Sequence, residues 1–218
     1  RETVTAVMVR LPVFLAESAV PDYPQVLLRK SGWILEDPAL VRLFDRLMSQ
    51  GTPLGEFVKG RMYYGIKTGL NDAFVINEAK RQELIKADPR SAEVIKPWLR
   101  GRDIKRWRVE PAGQYLIAIQ NSDDADARNP WGKAKTEREA RRIFRDTYPA
   151  VHDHLSRWEL YKETDKQGRE HDSGLTIRQD HGKWWWELRA CAYYREFAEP
   201  KVVWPDITRT MRFAWDTS

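Results

Sequence analysis

Residues 61–76, RMYYGIKTGLNDAFVI, and residues 94–107, VIKPWLRGRDIKRW, decide how this chain is read. In the first, Gly65 and Gly69 bracket Ile66, Lys67 and Thr68, which permits a tight backbone path with a lysine at its tip. Asn71 and Asp72 are turn formers, and Ala73, Phe74, Val75 and Ile76 make an apolar run short enough for a buried strand. In the second, Pro97 and Gly101 break any helix. Arg100, Arg102, Lys105, Arg106 and Arg108 then set five cations within nine residues against one acid, Asp103. Each half joins a glycine-bearing turn to cations and aromatics.

Working outward, Asp37 is a good N-cap and Pro38 suits the first position of a helix. Leu40, Leu43, Phe44, Leu47 and Met48 follow at helical spacing on one face, and Gly51 is a fitting stop. Residues 1–10 alternate with period two and predict a strand. Residues 16–24 read as a linker, and 54–64 as extended structure. Downstream, Asn77 caps a helix over 78–87 with Leu84 and Ile85 inward, and Asp88-Pro89 opens a short one that ends before Pro97. QYLIAIQ at 114–120 predicts a strand, and 121–131 a polar loop. Thr136 and Glu139 form a capping box for a helix whose inner face carries Ala140, Ile143 and Phe144. Pro149 interrupts that helix, and a second helical piece carries Val151, Leu155 and Trp158. The charged segment 162–174 reads as a mobile loop. Strand-like runs follow at 175–179, 184–189, 202–207 and 211–215. Strands and helices do not strictly alternate, so the fold class expected is α+β: a mixed or antiparallel sheet with several short helices.

The totals restrict the function. The 218 residues carry a net charge of +5 with a pI near 9.3, which favours a polyanionic partner. The single cysteine, Cys191, excludes an intramolecular disulfide framework and suits a reducing cytoplasm. No apolar run is long enough to span a membrane, and no signal peptide is evident, so no membrane partner is expected. The chain starts at Arg1 without an initiator methionine and stops at Ser218 just after a strand-like run, so it reads as a fragment of a longer protein.

Two later pieces complete a pattern: GKWWWELR at 182–189 and PKVVWPDIT at 200–208. In this order, GIKTGLNDAFVI, IKPWLRGRDIKRW and these two pieces resemble the TaqI-like specificity domain. That family forms the DNA target-recognition part of adenine-specific methyltransferases and of fused type IIG restriction-modification enzymes. The resemblance runs from about residue 51 to the C-terminus. It implies a target-recognition-domain-like fold, double-stranded DNA as partner, and a bacterial or archaeal cytoplasmic setting. It also implies an N-terminal methyltransferase domain of the same chain, where S-adenosylmethionine would bind. On this basis residues 1–36 are the end of a preceding domain and a linker. Residues 37–218 are the specificity domain, truncated at its C-terminus.

The DNA-binding candidates are Lys67, Asn71, Arg100, Arg102, Lys105, Arg106, Lys183, Arg189 and Arg209. Arginine and lysine near turns reach phosphates, and Arg makes two-pronged contacts to guanine. Charge alone equally fits a solvated loop, and the resemblance tips the balance to DNA. Asn71 fits a purely structural turn as well as a contact. Read as a strand, Trp184 and Trp186 share one face and Trp185 takes the other; core packing competes with base stacking for all three. The helix over 136–147 looks like an ordinary exposed face with pairs such as Glu137–Arg141.

Catalytic residues and resident cofactors are not expected in this chain. An Asn/Asp-Pro-Pro-aromatic tetrapeptide, which the family implies for methyl transfer, does not occur; Asn129-Pro130 is followed by Trp131 and Gly132. GIKTGLN lacks the spacing of a nucleotide-binding P-loop. Glu78-Ala79-Lys80 has the form of a nuclease Glu-x-Lys, but Asp72 lies only six residues before it. His152, Asp153 and His154 do not have metal-ligand spacing on a helix. Two alternatives remain: a protein-docking module of a restriction or phage-defence complex, and a metal-dependent nuclease.

Overall fold

The structure, a computed structural model, describes residues 24–28, 30, 32, 34 and 36–217. The strand expected at 1–10 and nearly all of the linker at 16–24 lie outside them. The chain forms two compact units, Arg1–Met62 and Tyr63–Ser218. The division thus falls after Met62, whereas the sequence reading set its boundary after residue 36.

In the first unit, helix α1 (Pro38–Gln50) starts at the expected place, with the Asp37 carboxylate accepting a 2.6 Å bond from the Ala39 N–H. Its regular apolar spacing does not produce a buried face among the described residues. Leu40, Leu43, Phe44, Leu47 and Met48 are between 51% and 60% exposed, and only Val41 is buried. The extended stretch expected at 54–64 begins instead with one turn of helix, α2 (Leu54–Phe57), followed by a tight turn through Lys59 and Gly60 at positive φ.

The second unit is mixed α and β, with small antiparallel sheets and several short helices. The glycine turn leads into α3 (Asn71–Phe74), then β1 (Val75–Asn77). The run AFVI therefore contributes its first half to a helical turn and only its second half to a strand. Asn77 caps α4 (Glu78–Ala87) as expected, accepting from the Lys80 N–H at 2.9 Å. One turn of helix, α5 (Ser91–Val94), passes into β2 (Ile95–Trp98). The central strand β3 (Gln114–Ile117) pairs antiparallel with both, in the order β1-β3-β2. Pro97 is accommodated because β2 is an edge strand, where a missing N–H leaves no ladder bond broken.

Two helices cover this sheet's core. α6 (Glu137–Thr147) is capped by Thr136, whose hydroxyl accepts from the Glu139 N–H at 3.3 Å, and α7 (Pro149–Ser156) starts at Pro149. Ala140, Phe144, Val151 and Leu155 are fully buried. Phe144 meets Trp131 edge-on at 4.9 Å and stacks on Trp186 at 5.2 Å, so an aromatic cluster fills the space between helix and loop. The Arg141 guanidinium does not pair with Glu137 along the helix; it forks onto Glu159 at 2.9 and 2.6 Å.

Three expected features differ. The segment 162–174 is a hairpin, β4 (Tyr161–Thr164) with β5 (Glu170–Ser173), and not a loop. Its turn is closed by Asp165, which accepts from the N–H groups of Gln167 and Arg169, and Lys162–Asp172 bridges the strands at 2.7 Å. Cross-strand charge replaces the hydrophobic alternation that would have revealed it. Residues 175–179 and 184–189 form turns instead of strands. Only the last pair of strands appears, shortened to β6 (Lys201–Val203) and β7 (Ala214–Asp216). Among the described residues, no helix is long and apolar enough to cross a membrane.

Candidate nucleic-acid interface

The glycine turn at 65–69 and the GKWWWELR segment meet at one buried cation that sequence reasoning passed over. Arg178 donates to the Thr68 carbonyl at 2.5 Å, to the Trp185 carbonyl at 3.1 Å and to the Glu187 carbonyl, with its guanidinium 4.4 Å from the Phe74 ring centre. It thereby joins the glycine turn at 65–69 to the tryptophan segment at 182–189. Burial pulls its pKa down to about 10, so it stays charged at neutral pH and is held by carbonyl dipoles. Gly69 sits at φ +68°, and a Cβ there would lie 3.1 Å from both Arg178 and Asp180.

The tryptophan segment wraps around Glu187. This side chain is fully buried, and its oxygens accept from the Ser122 hydroxyl, the Ser122 N–H (3.1 Å), the Trp131 indole (2.8 Å), the Asn129 amide (3.3 Å) and the Trp184 N–H (3.2 Å). A buried carboxyl surrounded by donors fixes loop 121–131 against this turn. Gly182 is required by space: a Cβ would lie 2.6 Å from the Leu188 carbonyl oxygen and 2.9 Å from Asn121 Oδ1. Trp185 and Trp186 are buried, Trp184 stacks on Trp186 at 5.9 Å, and Arg141 sits 5.3 Å over Trp185. This motif is interior architecture.

The cationic candidates then separate by surroundings. Lys67 is exposed and shares a cleft of about 290 Å³ with Tyr64, Gly65, Ile66, Arg189, Cys191 and Tyr193. Tyr193 stacks on Tyr63 at 4.6 Å beside it. Two residues far apart in sequence, Lys67 and Arg189, are thus brought to one cleft, although Arg189 also reaches Asp180 at 3.2 Å. Asn71 serves the turn, its side-chain oxygen accepting from the Thr68 hydroxyl at 2.7 Å. Lys183 reaches the Gly132 carbonyl at 3.2 Å and Asp123 at 3.6 Å, with its ammonium 5.5 Å from the Trp184 ring centre.

Residues 100–110 form an arm closed on itself, with an exposed tip at 106–108. At its base, Arg100 clasps the buried Asp103 through its own N–H (2.9 Å) and its guanidinium (3.2 and 3.3 Å). The arm closes through the Ile104–Val109 bridge, the Glu110 N–H to Asp103 carbonyl bond at 2.8 Å and the Lys105 N–H to Arg108 carbonyl bond at 2.9 Å. Arg108 is taken by Glu110 at 2.5 Å, while Lys105 donates to the Arg102 carbonyl at 2.7 Å and lies 4.0 Å from Glu110. Arg102 and Arg106 are exposed and have no carboxylate partner among the described residues.

The arm rests against the 204–213 loop that joins β6 to β7. The Trp107 N–H donates to the Phe213 carbonyl at 2.8 Å, and a Cβ on Gly101 would stand 3.0 Å from Pro205. That loop carries Arg209, exposed and also without an acidic partner among the described residues, together with Ile207 (92% exposed) and Met211 (73%). The structure therefore gathers Arg102, Arg106 and Arg209 on two adjoining loops interspersed with exposed apolar side chains. Sequence reasoning missed Trp107, Ile207 and Met211. An Arg-Trp pair at a turn tip was the available signal for the first, and exposure, which no spacing records, for the others.

A second cleft, of about 420 Å³, is lined by Lys80, His154, Arg157, Trp158 and Tyr161. His154 donates through its Nε2–H to the Ala73 carbonyl oxygen, 2.9 Å away, and burial holds its imidazole below its ordinary pKa, with the charges of Lys80 and Arg157 adding to the effect. Among the described residues no group of three or more His, Cys, Asp or Glu is placed to hold a metal ion. Glu78 of the Glu-x-Lys sequence is engaged by Gln82 at 2.5 Å and Arg81 at 2.9 Å. Compared with known proteins, the chain matches no family model and no curated sequence.

Proposed function

We propose that this chain recognises duplex DNA as a target-recognition domain, of the kind that serves adenine-specific methyltransferases and type IIG restriction-modification enzymes. The observation that carries the reading is the set Arg102, Arg106 and Arg209. These three exposed guanidiniums lie on two loops in contact, with no carboxylate partner among the described residues, in a chain of net charge +5. An anionic surface compensates the desolvation of such groups well, and the planar fork suits phosphates and guanine edges. The carboxylate-paired cations, Arg100 and Arg108, hold the arm's shape; the unpaired ones face the ligand. Lys67 and Arg189 form a second cationic point beside the Tyr64–Tyr193 cleft.

On this reading the adenine chemistry and S-adenosylmethionine reside in an N-terminal methyltransferase domain of the same polypeptide, in a bacterial or archaeal cytoplasm. The target-recognition-like fold is part of the same proposal, supported by the order of the four motifs and by the way Arg178 joins the first of them to GKWWWELR.

The test is the salt dependence of binding to a mixed-sequence duplex, followed by fluorescence anisotropy. Each phosphate contact contributes a log–log slope of about −0.9, so replacing Arg102, Arg106 and Arg209 together by alanine flattens the slope by about 2 to 3. An unchanged slope, or binding to an acidic protein with no affinity for duplexes, defeats the proposal. Magnesium-dependent cleavage by this chain, lost in Glu78→Ala, would establish the nuclease instead.

A further inference from the structure

We infer that the indole of Trp107 is a wedge that stacks on a nucleobase, the arm carrying it into a duplex at a step that opens. This inference rests on the DNA-binding reading and adds to it the contact that the tip of the arm makes.

Four observations converge on Trp107. Its backbone has φ +72°, a conformation that L side chains avoid and that glycine would adopt freely, and it shares this property with only Lys59 among the described non-glycine residues. Its indole is 71% exposed, so burial in the chain's own core does not repay the strain. Its backbone is nonetheless held firmly: the turn is closed from Lys105 to Arg108, and the Trp107 N–H is fixed to the Phe213 carbonyl. The exposed Arg106 guanidinium lies 5.7 Å from its ring centre, which sets a cation beside the aromatic face. A strained residue is kept at a rigid tip when its side chain is wanted at that position.

The chemistry beside it selects the partner. An aromatic or apolar side chain flanked by arginines fits an unstacked base step, because the cations take the phosphates while the ring replaces a lost stacking neighbour. Ile207 and Met211, on the loop that supports the arm, are also exposed apolar side chains. Arg106 sets positive charge beside it, and Arg102 and Arg209 add charge on the same two loops. The alternative aromatic feature, the triple tryptophan at 184–186, cannot serve, since Trp185 and Trp186 are buried.

The experiment uses the whole chain and two fluorescein-labelled duplexes of one mixed sequence, the second with an abasic site at its centre. A wedge finds its gap ready-made in the abasic duplex, so the wild-type chain binds it on the order of tenfold more tightly than the intact one. Trp107→Ala loses that preference to within about twofold while the salt slope of its binding to the intact duplex, set by the arginines, stays the same, and Trp107→Phe restores most of the preference. Thermal midpoints of the variants confirm that they are folded. Intact and abasic duplexes bound equally by the wild type, or a preference that survives Trp107→Ala, overturns the wedge and leaves DNA recognition standing. Binding of neither duplex overturns both.

Discussion

Two segments of this chain have nearly the same ingredients and opposite fates. Residues 182–189, GKWWWELR, and residues 102–108, RDIKRWR, each mix tryptophan, cations and one acid. In the first, the acid is fully buried and collects donors from three parts of the chain, so the tryptophans close over it. In the second, the acid is also buried, but it is used up locally by Arg100, and the tryptophan is left at the tip in solvent. The reach of the acid decides the outcome. A carboxyl that gathers distant partners organises an interior; one satisfied by a neighbour three residues away stabilises a protrusion and leaves the remaining side chains free.

That contrast predicts opposite responses to the same kind of substitution. Trp186→Ala removes a fully buried ring stacked on Phe144 and destabilises the fold by about 3 to 5 kcal/mol in urea denaturation. A loss under 1 kcal/mol there would erase the distinction between the two segments. Trp107→Gly goes the other way: it relieves a positive φ at an exposed site and raises stability by about 1 kcal/mol, while abolishing the proposed preference for the abasic duplex. A destabilised Trp107→Gly would mean that the arm packs its indole after all. The smallest effect concerns pH. Burial keeps the His154 imidazole below its ordinary pKa, so the unfolded chain takes up a proton first. The stability associated with this neutral ring is complete above the ordinary histidine value, about 6.5, and falls as the pH is lowered through the folded value. His154→Gln flattens that acid-side decline by a fraction of a kcal/mol, measured as the difference in urea midpoints between pH 7 and pH 5.

The parts of the fold legible in the sequence were those specified locally. Asp37, Asn77 and Thr136 cap helices because a side-chain oxygen reaches an N–H two or three residues away, and Pro149 starts α7 for equally local reasons. Features set by distant partners were not legible. The segment 184–189 reads as a strand by composition, yet becomes a turn because Glu187 binds Ser122, Asn129 and Trp131. The 162–174 hairpin was hidden because its strands pair through charge. The apolar spacing of α1 gave the helix correctly, but spacing does not say what the face meets, and among the described residues it remains exposed. The candidate site shows the same division. The cations of the arm were visible as a cluster, whereas which of them are engaged by Asp103 and Glu110 emerges only from the folded arrangement. Arg178 could not have been singled out, since nothing in its neighbourhood distinguishes it from any other arginine.

Arg178 has one more consequence. Its ligands are peptide carbonyls, with no carboxylate among its hydrogen-bond partners, and it is shielded from bulk electrolyte. Mobile ions weaken contacts between solvated charges far more than a sheltered ion–dipole clasp. On the DNA-binding proposal, brine strong enough to strip a polyanion from the arm would leave this clasp closed, so that release of the ligand is uncoupled from loss of the scaffold.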